Sequence, residues 1–263
     1  MRNITLLLTV FWIAIGLGQN TKIKAVKINS VAIDMDSFLG YDQFGFYYSV
    51  KNNVLHKTNE KESFEYKNPA LGEITKVSLL NPLKIVLFYE AFNTVVLLDN
   101  QLNETQKINF SENTTPIVAS AVAMATQNQL WLYNSLNQQI GLYDYLKKSY
   151  KPISTSFPEN IKYYQSDLNT FYWIDQKNNW FSCDIFGKIT LKGILPDFDL
   201  IEIRNDSQFI YSINNNLFYE DVSKNLRFEI EISEKTFTKY YFKDQILSIF
   251  TNEGITNYKI TIP

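Results

Sequence analysis

Short runs of apolar and aromatic residues recur along the whole chain, and this repeat limits the possible folds more than any other feature of the sequence. The runs cover residues 46–50, 85–89, 130–133, 171–174, 209–213 and 246–250, and they begin 39, 45, 41, 38 and 37 residues apart. Continuous apolar character is typical of a strand that is buried on both faces. The interval is that of one blade of a β-propeller, in which such a strand lies between two neighbouring blades.

A second set of runs follows the first after short polar breaks. These runs cover residues 54–58, 95–99, 140–144, 180–184, 217–221 and 255–260, and four of them end in an aspartate, namely Asp99, Asp144, Asp184 and Asp221. An aspartate at the end of a strand indicates a turn, because its carboxylate accepts a hydrogen bond from the backbone two residues later. With an inner strand before each pair of runs and an outer strand after it, the repeating unit is a four-stranded meander.

The sixth unit lacks an outer strand, because the chain ends at Pro263 just after its third strand. Residues 22–28 alternate between polar and apolar residues ahead of the first unit, which predicts a strand that completes the last blade and closes the ring. The predicted fold is therefore an all-β, six-bladed β-propeller closed by an N-terminal strand, with residues 19–263 as a single domain. A β-sandwich or a β-helix is the alternative, since both also have short strands at regular spacing.

The N-terminus predicts export from the cytoplasm. Met1, Arg2 and Asn3 precede an apolar run over residues 4–17, and Gly18 and Gln19 follow it, which is the pattern of a cleaved signal peptide over residues 1–18. A membrane anchor is the alternative, but a spanning helix needs about 20 apolar residues. The net charge of −2 is dispersed along the chain, which argues against a nucleic-acid partner.

The residues that could support chemistry are few. The single histidine, His56, and the single cysteine, Cys183, both lie in predicted strands, where a structural role is the more common one. Asp34, Asp36 and Asp42 do not match a calcium loop, because Phe38 and Leu39 stand where oxygen ligands and glycine are needed. We therefore expect a non-enzymatic protein without a cofactor or a metal.

A carbohydrate-active or other hydrolytic propeller remains the alternative function. Such enzymes use paired carboxylates on inner strands near the propeller axis, and Asp34, Asp36, Asp197 and Asp199 are the candidates for such a pair.

Apolar residues in predicted loops on one rim of the disc indicate a surface for a protein partner. In a four-stranded blade, the turn between the second and third strands lies on the same rim as the loop to the next blade. The candidate contact residues on that rim are Leu71, Phe92, Leu136, Phe157, Pro158 and Phe198. The alternative is that these side chains pack between blades, and the opposite rim is expected to be polar.

The export signal MRNITLLLTVFWIAIGLGQ, the size of the chain and its blade pattern together support a family resemblance. Over its whole mature length, the chain resembles the small periplasmic Plug β-propellers associated with the type IX secretion translocon. The resemblance implies a periplasmic disc that acts as a monomer within a hetero-complex. Such a disc docks on an outer-membrane channel protein and blocks the periplasmic mouth of that channel sterically, with no cofactor and no turnover. No site residues can be carried over from it.

Overall fold

Each of the six sequence repeats folds into one antiparallel sheet, and the six sheets form the blades of a β-propeller. The computed structural model describes residues 21–157 and 161–263. Two strands precede the first blade, β1 (Thr21–Lys24) and β2 (Val26–Val31).

The strands of each blade follow one another from the axis outwards. Blade one contains β3 (Ser37–Tyr41), β4 (Tyr47–Lys51), β5 (Val54–Thr58) and β6 (Ser63–Tyr66). Blade two contains β7 (Lys76–Ser78), β8 (Ile85–Tyr89), β9 (Thr94–Leu98) and β10 (Glu104–Asn109). Blade three contains β11 (Ala119–Met124), β12 (Gln129–Asn134), β13 (Gln139–Asp144) and β14 (Ser149–Pro152).

The second half of the ring repeats this arrangement. Blade four contains β15 (Ile161–Ser166), β16 (Thr170–Asp175), β17 (Asn179–Asp184) and β18 (Ile189–Ile194). Blade five contains β19 (Leu200–Ile203), β20 (Gln208–Ile213), β21 (Asn216–Asp221) and β22 (Leu226–Glu231). Blade six contains β23 (Lys239–Lys243), β24 (Ile246–Thr251) and β25 (Gly254–Lys259), with β2 as its outer strand.

Short helical turns complete the described part of the chain. Three 3-10 turns cover Pro69–Leu71, Glu90–Phe92 and Phe110–Glu112. Within the described ranges, no helix has the length and apolar character needed to cross a bilayer.

The apolar runs occupy the second strands, as the sequence predicts, and side chains from both of their faces fill the space between blades. All five residues of β8 and all five of β9 are buried. Between blades two and three, for example, Phe88, Phe110, Leu132 and Tyr143 belong to one buried cluster. The strand ends differ from prediction by one or two residues, which is the usual uncertainty of such boundaries.

The four aspartates that end the third strands of blades two to five act as predicted. In each blade, one carboxylate oxygen accepts hydrogen bonds from two backbone N–H groups of the following turn, at distances between 2.8 and 3.3 Å. These aspartates are Asp99, Asp144, Asp184 and Asp221. In these four blades, a local hydrogen-bonding signal thus folds back the outer strand.

The N-terminal segment closes the ring, but it does so as two strands rather than one. β2 pairs antiparallel with β25 and completes blade six, whereas β1 pairs parallel with β22 and adds a fifth strand to blade five. The predicted single strand over residues 22–28 is interrupted at Ala25, whose N–H still donates to the carbonyl of Glu231 over 3.2 Å. Ile23 is buried against blades five and six, which explains why the chain contacts blade five before it reaches blade six.

The junction between blades six and one has the smallest apolar cluster that we find among the described residues. Its buried members are Phe38, Phe250 and Ile255. Polar contacts between the two blades supplement it, since the Asn257 side chain donates to the Tyr41 hydroxyl over 3.3 Å and the Tyr241 hydroxyl donates to the Tyr41 carbonyl over 3.2 Å. The ring is therefore closed by hydrogen bonds at the point where its apolar packing is least extensive.

Candidate functional site

The meander arrangement sorts the loops of the propeller onto two faces. The loops between successive blades and the turns between second and third strands lie on one face, which we call the linker face. The turns between first and second strands and between third and fourth strands lie on the other, which we call the turn face. The predicted contact residues that lie within the described ranges, Leu71, Phe92, Leu136, Phe157 and Phe198, belong to the linker face.

Two of the predicted contact residues are exposed. Phe92, in the turn between the second and third strands of blade two, has 48% of its surface exposed. Leu136, in the corresponding turn of blade three, has 60% of its surface exposed. Pro158 lies outside the described residues. Phe92 and Leu136 are thus available to a partner in the structure as it stands.

The other three predicted contact residues pack against the blades. Leu71 is buried in the cluster between blades one and two. The ring of Phe157 stacks on that of Trp173 at a centroid distance of 4.8 Å. Phe198 packs between blades four and five, and the Lys162 ammonium lies 4.2 Å from the centroid of its ring. These three side chains therefore pack between blades, as the alternative interpretation of the sequence predicts.

The turn face carries more exposed large apolar side chains than the linker-face turns do, which is not what the sequence led us to expect. Their exposure ranges from 39% to 85%, and they come from five consecutive blades. They are Phe44 of blade one, Leu80 and Leu83 of blade two, Leu146 of blade three, Leu168 and Phe186 of blade four, and Val222 of blade five. Exposed apolar residues gathered on one face are typical of a protein-binding surface.

Four of these residues share one local geometry. Each donates its backbone N–H to the side-chain oxygen of an aspartate or asparagine two residues earlier, which places it at the tip of an Asx turn. The pairs are Phe44 with Asp42 at 2.8 Å, Leu83 with Asn81 at 2.9 Å, Leu146 with Asp144 at 3.1 Å, and Phe186 with Asp184 at 2.9 Å. One such tip occurs in each of blades one to four.

Contacts between neighbouring blades link the turns of blades two, three and four. The Lys84 ammonium, next to Leu83, donates a short hydrogen bond to the hydroxyl of Tyr145, next to Leu146. The carbonyl of Leu168 accepts a hydrogen bond from the N–H of Thr126 at 2.8 Å, which links blades three and four. We call the seven exposed residues and these turns the apolar turn surface.

Sequence reasoning missed this surface because the turns look polar as segments. The motif that four of the tips share, an aspartate or asparagine followed two residues later by phenylalanine or leucine, occurs at residues 42–44, 81–83, 144–146 and 184–186. It also occurs at the buried residues 128–130 and at residues 134–136 on the linker face, so it does not identify this surface by itself.

The carboxylates predicted to lie near the axis stabilise loops instead. Asp36 and Asp199 precede the inner strands of blades one and five rather than belonging to them. The carboxylate of Asp36 accepts the N–H of Asn52 at 2.6 Å, and that of Asp199 accepts the N–H of Asn214 at 2.8 Å. Both hold the turn between the second and third strands of their own blade, and each lies one residue before its inner strand.

The other two candidate carboxylates are also engaged in the linkers. Asp34 is exposed and pairs with the Lys51 ammonium, while Asp197 accepts a hydrogen bond from the Asn178 side chain at 2.8 Å. The inner-strand carboxylate that sequence reasoning overlooked is Glu202 of β19. It accepts the N–H of Phe242 at 3.1 Å, and burial raises the pKa of its carboxyl group to about 7.

The remaining reactive residues have structural surroundings. Cys183 is fully buried, and burial raises the pKa of its thiol to about 12, so the nucleophilic thiolate is suppressed. His56 is partly buried in β5. Asp42 accepts a hydrogen bond from the Tyr48 hydroxyl at 2.9 Å and lies 3.6 Å from the buried ammonium of Lys57. Among the described residues, no group of three or more His, Cys, Asp or Glu side chains could hold a metal ion.

A cleft lies where the N-terminal strand closes the ring. Its volume is about 680 Å³, and it is lined by residues of β2, the turn from Thr251 to Gly254 and the linker over residues 234–238. Its lining is mostly small and polar, with Phe237 and Ile255 as the larger apolar members.

Comparison with known proteins places the chain by fold alone. No known protein family matches its sequence, and no curated protein matches it either. Among solved structures, it is similar to selenomethionine-substituted virginiamycin B lyase from Staphylococcus aureus, with a TM-score of 0.58 and 11% identity over 93% of this chain and 97% of that one. It is also similar to the Cps50 (Swd1) β-propeller domain of Myceliophteria thermophila, with a TM-score of 0.58 and 9% identity over 90% and 100% of the two chains. A Bacteroides thetaiotaomicron protein of unknown function gives a TM-score of 0.60 at 11% identity, over 92% of this chain and 75% of that one. At such identities, the likeness supports the β-propeller fold and says nothing about function.

Proposed function

We propose that this protein is a non-enzymatic, protein-binding propeller of the periplasm. In this proposal, it docks on an outer-membrane protein-secretion channel and closes the periplasmic mouth of that channel. The fold is compatible with a protein-binding role, and the identity of the partner rests on the family resemblance described above.

The apolar turn surface is the observation that carries the proposal. Solvent-exposed phenylalanine and leucine side chains at the tips of rigid turns gain free energy when a partner covers them, at about 25 cal/mol per Å² of apolar surface. Their backbone is fixed in advance by Asx hydrogen bonds, so little conformational entropy is lost on docking. A face assembled from five blades also suits a broad contact, which steric closure of a channel requires.

Two matched double variants test which face docks. Leu146→Asp with Phe186→Asp places two charges on the turn face, and Leu136→Asp with Phe92→Asp places the same two charges on the linker face. All four side chains are between 48% and 85% exposed, so both variants should keep a melting temperature within about 2 °C of the parent protein. The measurement is the amount of channel protein that co-purifies with each variant from detergent-solubilised envelopes of the native cells.

The expected result is loss of the channel from the turn-face variant only. Removing two large apolar contacts costs about 3 kcal/mol or more, which corresponds to a change on the order of a hundredfold in the dissociation constant. Loss from the linker-face variant alone would instead identify Phe92 and Leu136 as the contact residues. Recovery of the parent protein only as a free monomer would overturn the proposed function itself.

A hydrolytic propeller is the second candidate, and Glu202 is the observation in its favour. A carboxyl group near the axis with a pKa of about 7 is protonated enough at neutral pH to act as a general acid. Hydrolysis of a panel of glycosides and esters by the parent protein, abolished in Glu202→Gln, would support this candidate. Equal rates for the two proteins would reject it.

A further inference from the structure

Two lysines lie at the end of the axial channel that opens on the linker face. Lys76 is the first residue of β7, and Lys239 is the first residue of β23. Because the inner strands of all blades run in the same direction along the axis, both lysines belong to the same mouth of the channel. The Lys76 side chain is partly buried and the Lys239 side chain is exposed. Burial and, second, the charge of Lys239 lower the pKa of Lys76.

Lys76 extends across the channel from blade two to blade four. Its ammonium lies 3.4 Å from the carbonyl oxygen of Tyr164, 4.8 Å from the centroid of the Tyr164 ring and 5.4 Å from that of Tyr163. In the described part of the chain, no carboxylate comes within 4.0 Å of this ammonium. The three N–H donors of this ammonium therefore have one long hydrogen bond and contacts with the faces of two aromatic rings.

Around Lys76 and Lys239 two ammonium groups face one carboxylate, that of Glu202, while the carboxylates of Asp36 and Asp199 at the same face are bound to backbone N–H groups. Burial and the repulsion of Lys239 lower the pKa of Lys76 to about 8, so the ammonium is still the main form at neutral pH. Glu202 is the carboxylate that interacts with Lys239, and it is bound to the N–H of Phe242 and itself has a raised pKa. A buried ammonium without a counter-ion is unfavourable, and an anion that binds beside it removes that cost.

We propose that the linker-face mouth of the channel is a binding site for a small oxyanion, held between the ammonium groups of Lys76 and Lys239. The ligand carries a carboxylate or a phosphate group, because these groups accept several charge-assisted hydrogen bonds at once. Tyr163 and Tyr164 supply the aromatic contacts to this ammonium on the blade-four side. The site lies on the face opposite the apolar turn surface, so an anion could occupy it while a partner is docked.

Titration of the mature protein with sodium phosphate and with sodium acetate at pH 7 tests the proposal, with sodium chloride at equal ionic strength as the reference. The readout is the NMR signal of the lysine Cε–H groups in selectively labelled protein. We expect saturable binding with a dissociation constant on the order of 1 mM, together with a rise in the pKa of Lys76. A response to phosphate but not acetate, or the reverse, identifies which oxyanion the site takes.

Three lysine variants separate a site from general charge attraction. Lys76→Met and Lys239→Met should each weaken binding at least about tenfold, whereas Lys147→Met, at an exposed residue of the turn face, should leave it unchanged. Equal weakening in all three variants would overturn the proposal, and so would a Lys76 pKa that does not respond to either anion. The pKa of Lys76 is measured in the parent protein, so this part of the test is valid even if a variant folds poorly.

Discussion

Replacing Ile23 with alanine measures how much the parallel strand β1 contributes to the stability of the ring. The side chain is 6% exposed and belongs to the cluster that contains Leu217, Phe228 and Ile230. Alanine removes three carbon atoms at about 0.8 kcal/mol each and leaves a cavity, so the expected loss is about 2–4 kcal/mol. Ile28 is the matched control, because it has the same side chain five residues later, at an irregular position of β2, and is 52% exposed. Its replacement should cost no more than about 0.5 kcal/mol.

Urea unfolding followed by tryptophan fluorescence gives both values. Trp131, Trp173 and Trp180 are buried, so their emission reports loss of the blades. For a protein of this size, a loss of 2–4 kcal/mol lowers the midpoint by about 1 M urea at an unchanged slope. Equal midpoints for the two variants, or a loss below about 1 kcal/mol for Ile23→Ala, would refute the packing of β1 on blade five.

Three further outcomes follow from single residues. Gly254→Ala should lower the melting temperature more than Gly45→Ala, because a Cβ at Gly254 would lie 2.2 Å from the carbonyl oxygen of Val31, whereas Gly45, also at positive φ, has nothing within 4 Å. Because burial raises the pKa of its thiol to about 12, Cys183 should not react with iodoacetamide at pH 8 in the folded protein and should react after unfolding, as mass spectrometry would show. Burial raises the pKa of Glu202 from 4.5 to about 7, so the folded state holds this proton more tightly than the unfolded state does. The stability that this proton provides is present below about pH 4.5 and is lost as the pH rises through 7. Glu202→Gln should therefore flatten that part of the plot of melting temperature against pH.

The architecture could be predicted because its main signal is local. A strand buried on both faces has to be apolar throughout, and residues 85–89 carry that pattern without interruption. Asp99 and Asp184 mark the following turns equally well, because an Asx turn is formed by neighbouring residues alone.

The parallel pairing of β1 could not be predicted from the same signals. Alternation over residues 22–28 is compatible with either blade, and the register depends on where Ile23 finds an apolar cavity in the assembled ring. Which of the apolar loop residues are exposed could not be predicted for a related reason. Leu71 and Phe157 lie in loops whose composition is like that of loops with exposed apolar residues. Which of these side chains are covered is determined only when the blades assemble.

The Asx turns separate the residues that shape each tip from the residue displayed there. In the turn at Asp184, the carboxylate accepts the N–H groups of Phe186 and Lys188, and both bonds involve backbone atoms that every residue except proline provides. The side chain of Phe186 is 85% exposed and takes no part in holding the turn. Its identity can therefore change with little effect on folding, and the same holds at Leu146. Mutation can therefore change the side chains that this face presents one tip at a time, while the ring stays intact.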